Sequence, residues 1–361
     1  MSLPQPRPGV LTLKPYVATH GKTTQQRVIK LSANEGALGP SPKAVEAYKA
    51  MAGNLHRYPE GGSGTLAHAI AKKHGLDEAR VICGNGSDEL IEVIVKAFAG
   101  VGDEVIYTQY GFRMFPITTQ SLGATPVMAP EKDFKVDIDA ILEKVTERTK
   151  IVFLANPNNP TGSYNSIEEI RSLHARLPEN IVLVLDAAYA EFVSKNDYSA
   201  GIDIVEGAQN VIMLRTFSKL YALAGLRLGW CYGSAYLIDI LNRVRGPFNV
   251  NLAAQAAGIA ALEDTAFQEK ARAHNEKMVP WTLDAFAKLG LECVPTVANF
   301  FLVRFPSDPA KNADAALAFL NSRGILVREM RSYNLPDYLR FSVGTEEEMK
   351  IVVDTLAEFL T

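Results

Sequence analysis

The sequence predicts an α/β fold: a seven-stranded, mostly parallel sheet followed by a smaller α+β layer. Three observations lead there. Runs such as 151–155 and 181–185 are continuously apolar, as strands covered on both faces are. Stretches of helical length separate most such runs, the alternation that builds a parallel sheet. Polar residues gather just past the strand ends, where open α/β sheets place their ligand groups.

Taken in order, residues 1–40 are irregular and rich in Pro and Gly, with one strand-like piece at 28–31. Pro42 opens a helix to about Met51, with Ser41 as its cap. Gly61-Gly62-Ser63-Gly64 precedes a second helix, 65–74. Strands are then expected at 80–83, 104–107, 124–128, 151–155, 181–185, 211–215 and 228–232. Helices fall between most of them, at 88–99, 111–121, 138–146 and 166–177, the last opened by the capping box Ser166/Glu169. A long helical region at about 252–289 leads to strand-like 297–305, helix 313–323, 325–328, 339–343 and helix 346–360, capped by Thr345 and Glu348. These patterns divide the chain into a large unit, 45–255, and a small one, 1–44 plus 256–361.

Composition narrows the function. The 361 residues suffice for two units with real cores, and 47% hydrophobic with 21% charged residues is ordinary for a soluble globular chain. A net charge of −3 gives no basic field for nucleic acid, and no apolar run approaches a membrane span of roughly 18 residues. The Pro-rich start does not read as a signal peptide. Cys83, Cys231 and Cys293 form neither a CxxC pair nor a zinc spacing, so reduced thiols in cytoplasm are expected. His56, His68 and His74 make no i, i+4 metal pair.

The candidate chemistry lies at five strand ends. Ser87 and Asp88 follow Gly84-Asn85-Gly86 at the start of helix 88–99, a seat for phosphate on unpaired N–H groups. A dinucleotide fingerprint would need glycine at 89, where this chain has Glu89. Tyr110 follows the strand 104–107 as a flat aromatic platform. Asn159 sits in the Pro-braced loop 156–162 and can present its amide to a ligand oxygen, although a plain turn would also account for that loop. Asp186 ends the strand 181–185 and can keep a ring nitrogen protonated, with Tyr189 three residues on; a turn-capping aspartate is the alternative. Thr216, Ser218 and Arg227 flank Lys219 after 211–215, two hydroxyls and a guanidinium for a phosphate around an amine for a Schiff base. One ligand satisfies all five ends: pyridoxal 5′-phosphate.

Asn158-Asn159-Pro160-Thr161-Gly162, Asp186-Ala187-Ala188-Tyr189 and Thr216-Phe217-Ser218-Lys219 with Arg227 resemble, in order and spacing, the fold-type I aminotransferases. The likeness runs from Pro15-Tyr16 to Gly344-Thr345, and Arg57-Tyr58-Pro59-Glu60 places it near the branch that converts histidinol phosphate. The resemblance implies a PLP-dependent transferase fold in which Lys219 carries the cofactor as a Schiff base and Asp186 pairs with the pyridine nitrogen. It further implies that Asn159 and Tyr189 hold the phenolic oxygen, Tyr110 stacks on the ring, and Ser87, Asp88, Thr216, Ser218 and Arg227 bind the phosphate. Tyr58 would reach the phosphate of a neighbouring subunit, which implies a homodimer. Arg340 would clamp the substrate anion, with Arg328 and Tyr16 as the further anion-binding residues of that branch. The implied partners are small molecules, an amino phosphate or amino acid and a 2-oxo acid such as 2-oxoglutarate. Phenylalanine or tyrosine transamination is the near alternative, because Arg340 serves a carboxylate equally well. A PLP lyase such as a threonine-phosphate decarboxylase would share the cofactor site, and a PLP-binding regulator would add a DNA-binding segment. One departure falls beside the site: Asn34-Glu35-Gly36-Ala37 stands where the family often has Asn-Glu-Asn-Pro.

Overall fold

The computed structural model describes residues 6, 9–13, 25 and 27–361. The main sheet has seven strands: β1 Val81–Gly84, β2 Glu104–Thr108, β3 Thr125–Ala129, β4 Thr149–Ala155, β5 Val182–Asp186, β6 Val211–Thr216 and β7 Gly229–Gly233. All seven fall where the apolar runs predict them. Their order is β1-β7-β6-β5-β4-β2-β3. The β2, β3, β4, β5 and β6 pairings are parallel, and β7 runs antiparallel to both β1 and β6. Because β7 is reversed, its start lies at the edge where its neighbours end, which brings Arg227 to that edge.

Strand residues alternate between two cores, since successive side chains leave opposite faces of a sheet. Val152, Leu154, Leu183, Leu185 and Met213 join Leu66, Ile70, Phe217 and Trp230 on one face. Ile151, Phe153, Val182, Val184 and Ile212 join Ile91, Ile94, Phe115 and Leu241 on the other. Continuous apolar strands are what burial on both faces demands. Ala254, Ala257, Ala261 and Leu262 pack in the first of these cores, so helix Leu252–Glu263 goes with the main sheet, past the 255 boundary suggested by sequence.

A second sheet holds β8 Glu292–Cys293, β9 Phe300–Arg304, β10 Arg328–Glu329 and β11 Tyr338–Ser342, in the antiparallel order β8-β9-β11-β10. Its own core sets Phe301, Val303 and Phe341 against Met278, Phe286, Met349 and Val352. Ile29–Lys30 pairs in parallel with Ile325–Leu326, and the Ser342 N–H donates to the Leu31 carbonyl at 2.9 Å. The segment from Ile29 thus runs along the small sheet and delivers residues 32–35 to the edge of the large one.

Three of the expected helices differ in extent, and helices Ile202–Gly207 and Ala235–Val244 are not among those expected. The region 252–289 is two helices, Leu252–Glu263 and Thr265–Lys288, broken at Asp264, whose ψ of 66° leaves the helical region. Helix 138–146 is only Ile138–Leu142, because the chain must turn at Thr146, whose N–H binds Thr149 Oγ1 at 2.9 Å, to enter β4. Helix 111–121 begins at Met114, after the tight turn closed by the Gly111 N–H on the Thr108 carbonyl. The capping boxes at Ser166/Glu169 and Thr345/Glu348 are both formed.

Candidate active site

One pocket at the carboxyl edge of the main sheet is lined by Ser87, Asp88, Asn159, Asp186, Tyr189, Thr216, Ser218, Lys219, Arg227, Arg328 and Arg340. Residues from five strand ends and from the small sheet therefore converge on one space. One side of it is built at the N-terminus of helix Ser87–Phe98, whose capping position, Gly86, offers no side chain to the first N–H groups. Gly86 has φ 83°, and a Cβ there would come within 2.5 Å of Arg227 Nη2, so only glycine fits beneath the guanidinium. Arg227 is itself left-handed, at φ 52°, and is held by bonds from Nη1 to the Ala224 carbonyl at 3.1 Å and from Nη2 to Asp88 Oδ2 at 3.0 Å. Thr216 Oγ1 accepts from the Ser218 N–H at 3.1 Å and donates to Ser218 Oγ at 3.0 Å, which ties both hydroxyls into the turn after β6.

The floor carries two perturbed ionisable groups. Asp186 is 5% exposed and accepts from the Ala188 N–H at 3.2 Å. Burial, then the nearby Asp88 charge, pushes its carboxyl up to about 7. Lys219 is pushed down to about 8, first by burial and then by the Arg340 charge, and its Nζ donates to the Ala33 carbonyl at 3.1 Å. A buried acid of raised pKa beside an amine of lowered pKa, under a cup of donors, is an arrangement functional sites use.

The opposite wall comes from the small sheet and the N-terminal segment. Arg340, 6% exposed, donates from Nη1 to Asn159 Oδ1 at 2.6 Å and from Nη2 to the Ser32 carbonyl at 2.7 Å. With its oxygen engaged by Arg340, Asn159 turns its NH2 outward as a donor. Arg328 lies directly across from Arg340 in the β10–β11 register, which sets two guanidiniums on the same pocket.

One expected residue stands elsewhere. The structure corrects Tyr110: its ring packs at 5.5 Å on Phe134, which in turn meets Tyr338 at 5.4 Å, and the aromatic that lines the pocket from that loop is Phe112. The hairpin Glu131–Val136 causes this, since Glu131 Oε1 accepts from the Tyr110 N–H at 3.0 Å and from Asn158 Nδ2 at 3.1 Å. Tyr58 is 81% exposed and stacks on Phe248 at 4.8 Å, outside the pocket. Tyr16 lies outside the described residues. Asn34, which the sequence placed beside the site without a role of its own, lines the pocket and donates to the Tyr189 hydroxyl at 3.0 Å. The unusual Gly36 has a steric reason: a Cβ there would come 2.7 Å from Ala222 Cβ and 3.0 Å from the Lys219 carbonyl.

The donor set fits pyridoxal 5′-phosphate. A helix N-terminus, two hydroxyls and a guanidinium suit the phosphate dianion, and Asp186, which forms no salt bridge among the described residues, suits a protonated ring nitrogen. Among the described residues no cluster of His, Cys, Asp or Glu is arranged for a metal ion, and no helix is long and apolar enough to cross a membrane.

The chain belongs to the class I and II aminotransferases, whose family profile it matches over residues 26–356. Within that family its relatives are specific. The histidinol-phosphate aminotransferase of Paramagnetospirillum magneticum is 54% identical over 361 residues, covering 100% of this chain and 99% of that one. That of Rhodospirillum centenum is 51% identical with the same coverage. Among solved structures, the histidinol-phosphate aminotransferase of Sinorhizobium meliloti in complex with pyridoxal-5'-phosphate superposes with a TM-score of 0.88 at 28% identity, covering 99% of this chain and 98% of that one. The L-threonine-O-3-phosphate decarboxylase of Porphyromonas gingivalis, at 22% identity and a TM-score of 0.81 over 92% of this chain and 99% of that one, shares the fold.

Proposed function

We propose that this chain transfers the amino group of L-histidinol phosphate to 2-oxoglutarate, on pyridoxal 5′-phosphate held at the carboxyl edge of the main sheet, giving imidazole acetol phosphate and glutamate. The observation that carries the substrate is the pairing of Arg328 with Arg340 across β10 and β11, facing the pocket that holds Lys219. One bidentate guanidinium matches a carboxylate; a phosphate dianion justifies two. The names of the full-length relatives support the same substrate.

The residues divide the work as follows. Ser87 and Asp88, through their N–H groups, hold the phosphate together with Thr216, Ser218 and Arg227. Asp186 holds the ring nitrogen protonated, and Asn159 and Tyr189 donate to the phenolic oxygen. Phe112, in place of Tyr110, covers a ring face. Bound there, pyridoxal 5′-phosphate supplies an electron sink for the charge left when a proton departs from the substrate Cα. Lys219 moves that proton as base and then acid, and its pKa of about 8 leaves far more free amine at neutral pH than an ordinary lysine has. Arg340 and Arg328 fix the substrate anion, so that the Cα–H bond is presented to Lys219. After the ketone leaves, Arg340 clamps the carboxylate of the second substrate and Lys219 returns the proton.

The test compares kcat/KM for histidinol phosphate and phenylalanine. A preference of at least about 100-fold for the phosphate is expected, the worth of a desolvated charge pair. A preference for phenylalanine would give the site to aromatic amino acids instead.

The working unit is read as a homodimer that places Tyr58 against the neighbouring pocket. Tyr58 and Leu55 are 81% and 75% exposed, beside half-exposed Phe248, an apolar patch better suited to a second copy than to water. Light scattering should give twice the 39.4 kDa chain mass; a monomer at working concentration would remove this element. The three free cysteines, two of them buried, suit a protein kept in the reducing cytoplasm.

A further inference from the structure

We propose that Asn34 is a positioning residue for Tyr189: its amide NH2 occupies the acceptor side of the tyrosine hydroxyl and so turns the hydroxyl proton toward the bound ligand. The inference rests on, and deepens, the reading in which Tyr189 donates to the phenolic oxygen of the cofactor.

Asn34 is 1% exposed and sits in the left-handed region at φ 54°, which asparagine and aspartate tolerate better than other side chains. Its Nδ2 lies 3.0 Å from the Tyr189 hydroxyl. Ser342 fixes which end of the amide faces the tyrosine. The Asn34 backbone N–H donates to Ser342 Oγ at 2.8 Å, so the serine proton needs an acceptor of its own. Asn34 Oδ1, at 3.1 Å, is that acceptor. If the amide were flipped, that buried proton would lose it. With its oxygen taken by Ser342, Asn34 presents NH2 to Tyr189. An amide nitrogen accepts nothing in return, so the tyrosine proton goes to another acceptor in the pocket that both residues line. Burial raises the Tyr189 pKa, and the phenol stays a neutral donor. Asn299 Nδ2 completes the clamp by donating to the Asn34 carbonyl at 3.2 Å.

The experiment uses the holoenzyme and reads the pH midpoint of the bound cofactor's visible absorption band, together with the cofactor Kd. A donor to the phenolic oxygen draws charge from it and lowers the basicity of the nitrogen that Lys219 places beside it. Losing the donor therefore raises the midpoint, by about one unit for one hydrogen bond of ordinary strength. Asn34→Asp keeps the size and the left-handed tolerance but offers only oxygens, so the Tyr189 hydroxyl turns round to donate to it. The expected result is an upward shift matching that of Tyr189→Phe, with no further shift when the two are combined. Ser342→Ala, which releases the amide, should move the midpoint the same way by less, and it decides the matter where Asn34→Asp does not fold. Additive shifts, or wild-type midpoints in Asn34→Asp and Ser342→Ala beside a shifted Tyr189→Phe, would overturn the role of Asn34. A wild-type midpoint in Tyr189→Phe itself would instead overturn the reading of Tyr189 beneath it.

Discussion

Arg215 on β6 and Asp186 at the end of β5 lie on neighbouring strands, and each is 5% exposed. Arg215 is answered from within the chain. Its Nη2 pairs with Glu191 Oε1 at 2.8 Å, and its guanidinium lies 5.6 Å from the Trp230 ring. Asp186 receives the Ala188 N–H and forms no salt bridge among the described residues, so burial raises its pKa. A buried charge whose partner is built in is scaffolding. One left short of a counter-charge, at the open edge of the sheet, marks where a ligand completes the structure.

The largest expected effect lies on the ligand side. Lys219→Ala should lower turnover by at least about 10³-fold and abolish the borohydride-reducible link to the cofactor, read by intact mass, while the protein stays folded. Retention of either property would detach the chemistry from this pocket.

The comparison itself is sharpened by breaking its two halves separately. Arg215→Met strands Glu191 as a buried, unpaired charge and should cost about 3–5 kcal/mol in denaturant unfolding, with the cofactor's titration midpoint unchanged. Asp186→Asn should act in the opposite direction on the cofactor-free protein. The folded carboxyl is raised above its ordinary value of 3.8 to about 7, so the folded state holds the proton more tightly than the unfolded one. Stability then falls as pH climbs from about 4 to about 7, and the asparagine variant escapes that fall, gaining roughly 4 kcal/mol at neutral pH. The same variant should bind the cofactor about 100-fold more weakly, having lost the ion pair with the ring nitrogen. If Asp186→Asn destabilised the cofactor-free protein and Arg215→Met left its stability intact, the roles assigned to the two charges would be exchanged.

Much of the site was legible because its signals are local. Asp186 and Lys219 stand just past apolar runs, and a strand that is buried on both faces can expose a polar group only where it ends. Ser87 was legible from the helix that starts at it, and the capping boxes from residues three apart. The aromatic wall was not. Tyr110 and Phe112 are two residues apart in one turn, and the choice between them is made by a hairpin some twenty residues later. There Glu131 takes the Tyr110 N–H and Phe134 takes its ring, which leaves Phe112 to the pocket.

By itself the sequence determined the seven strands, the helix caps, and the acid, amine and donors at the strand ends, since periodicity and capping act within a few residues. Only the tertiary structure decided which groups meet. Arg328 faces Arg340 through an antiparallel register, and Asn34 reaches Tyr189 and Ser342 across 155 and 308 residues of chain. A hydrogen bond is specified by distance and direction in space, and no spacing along the chain encodes either for residues brought together from separate elements.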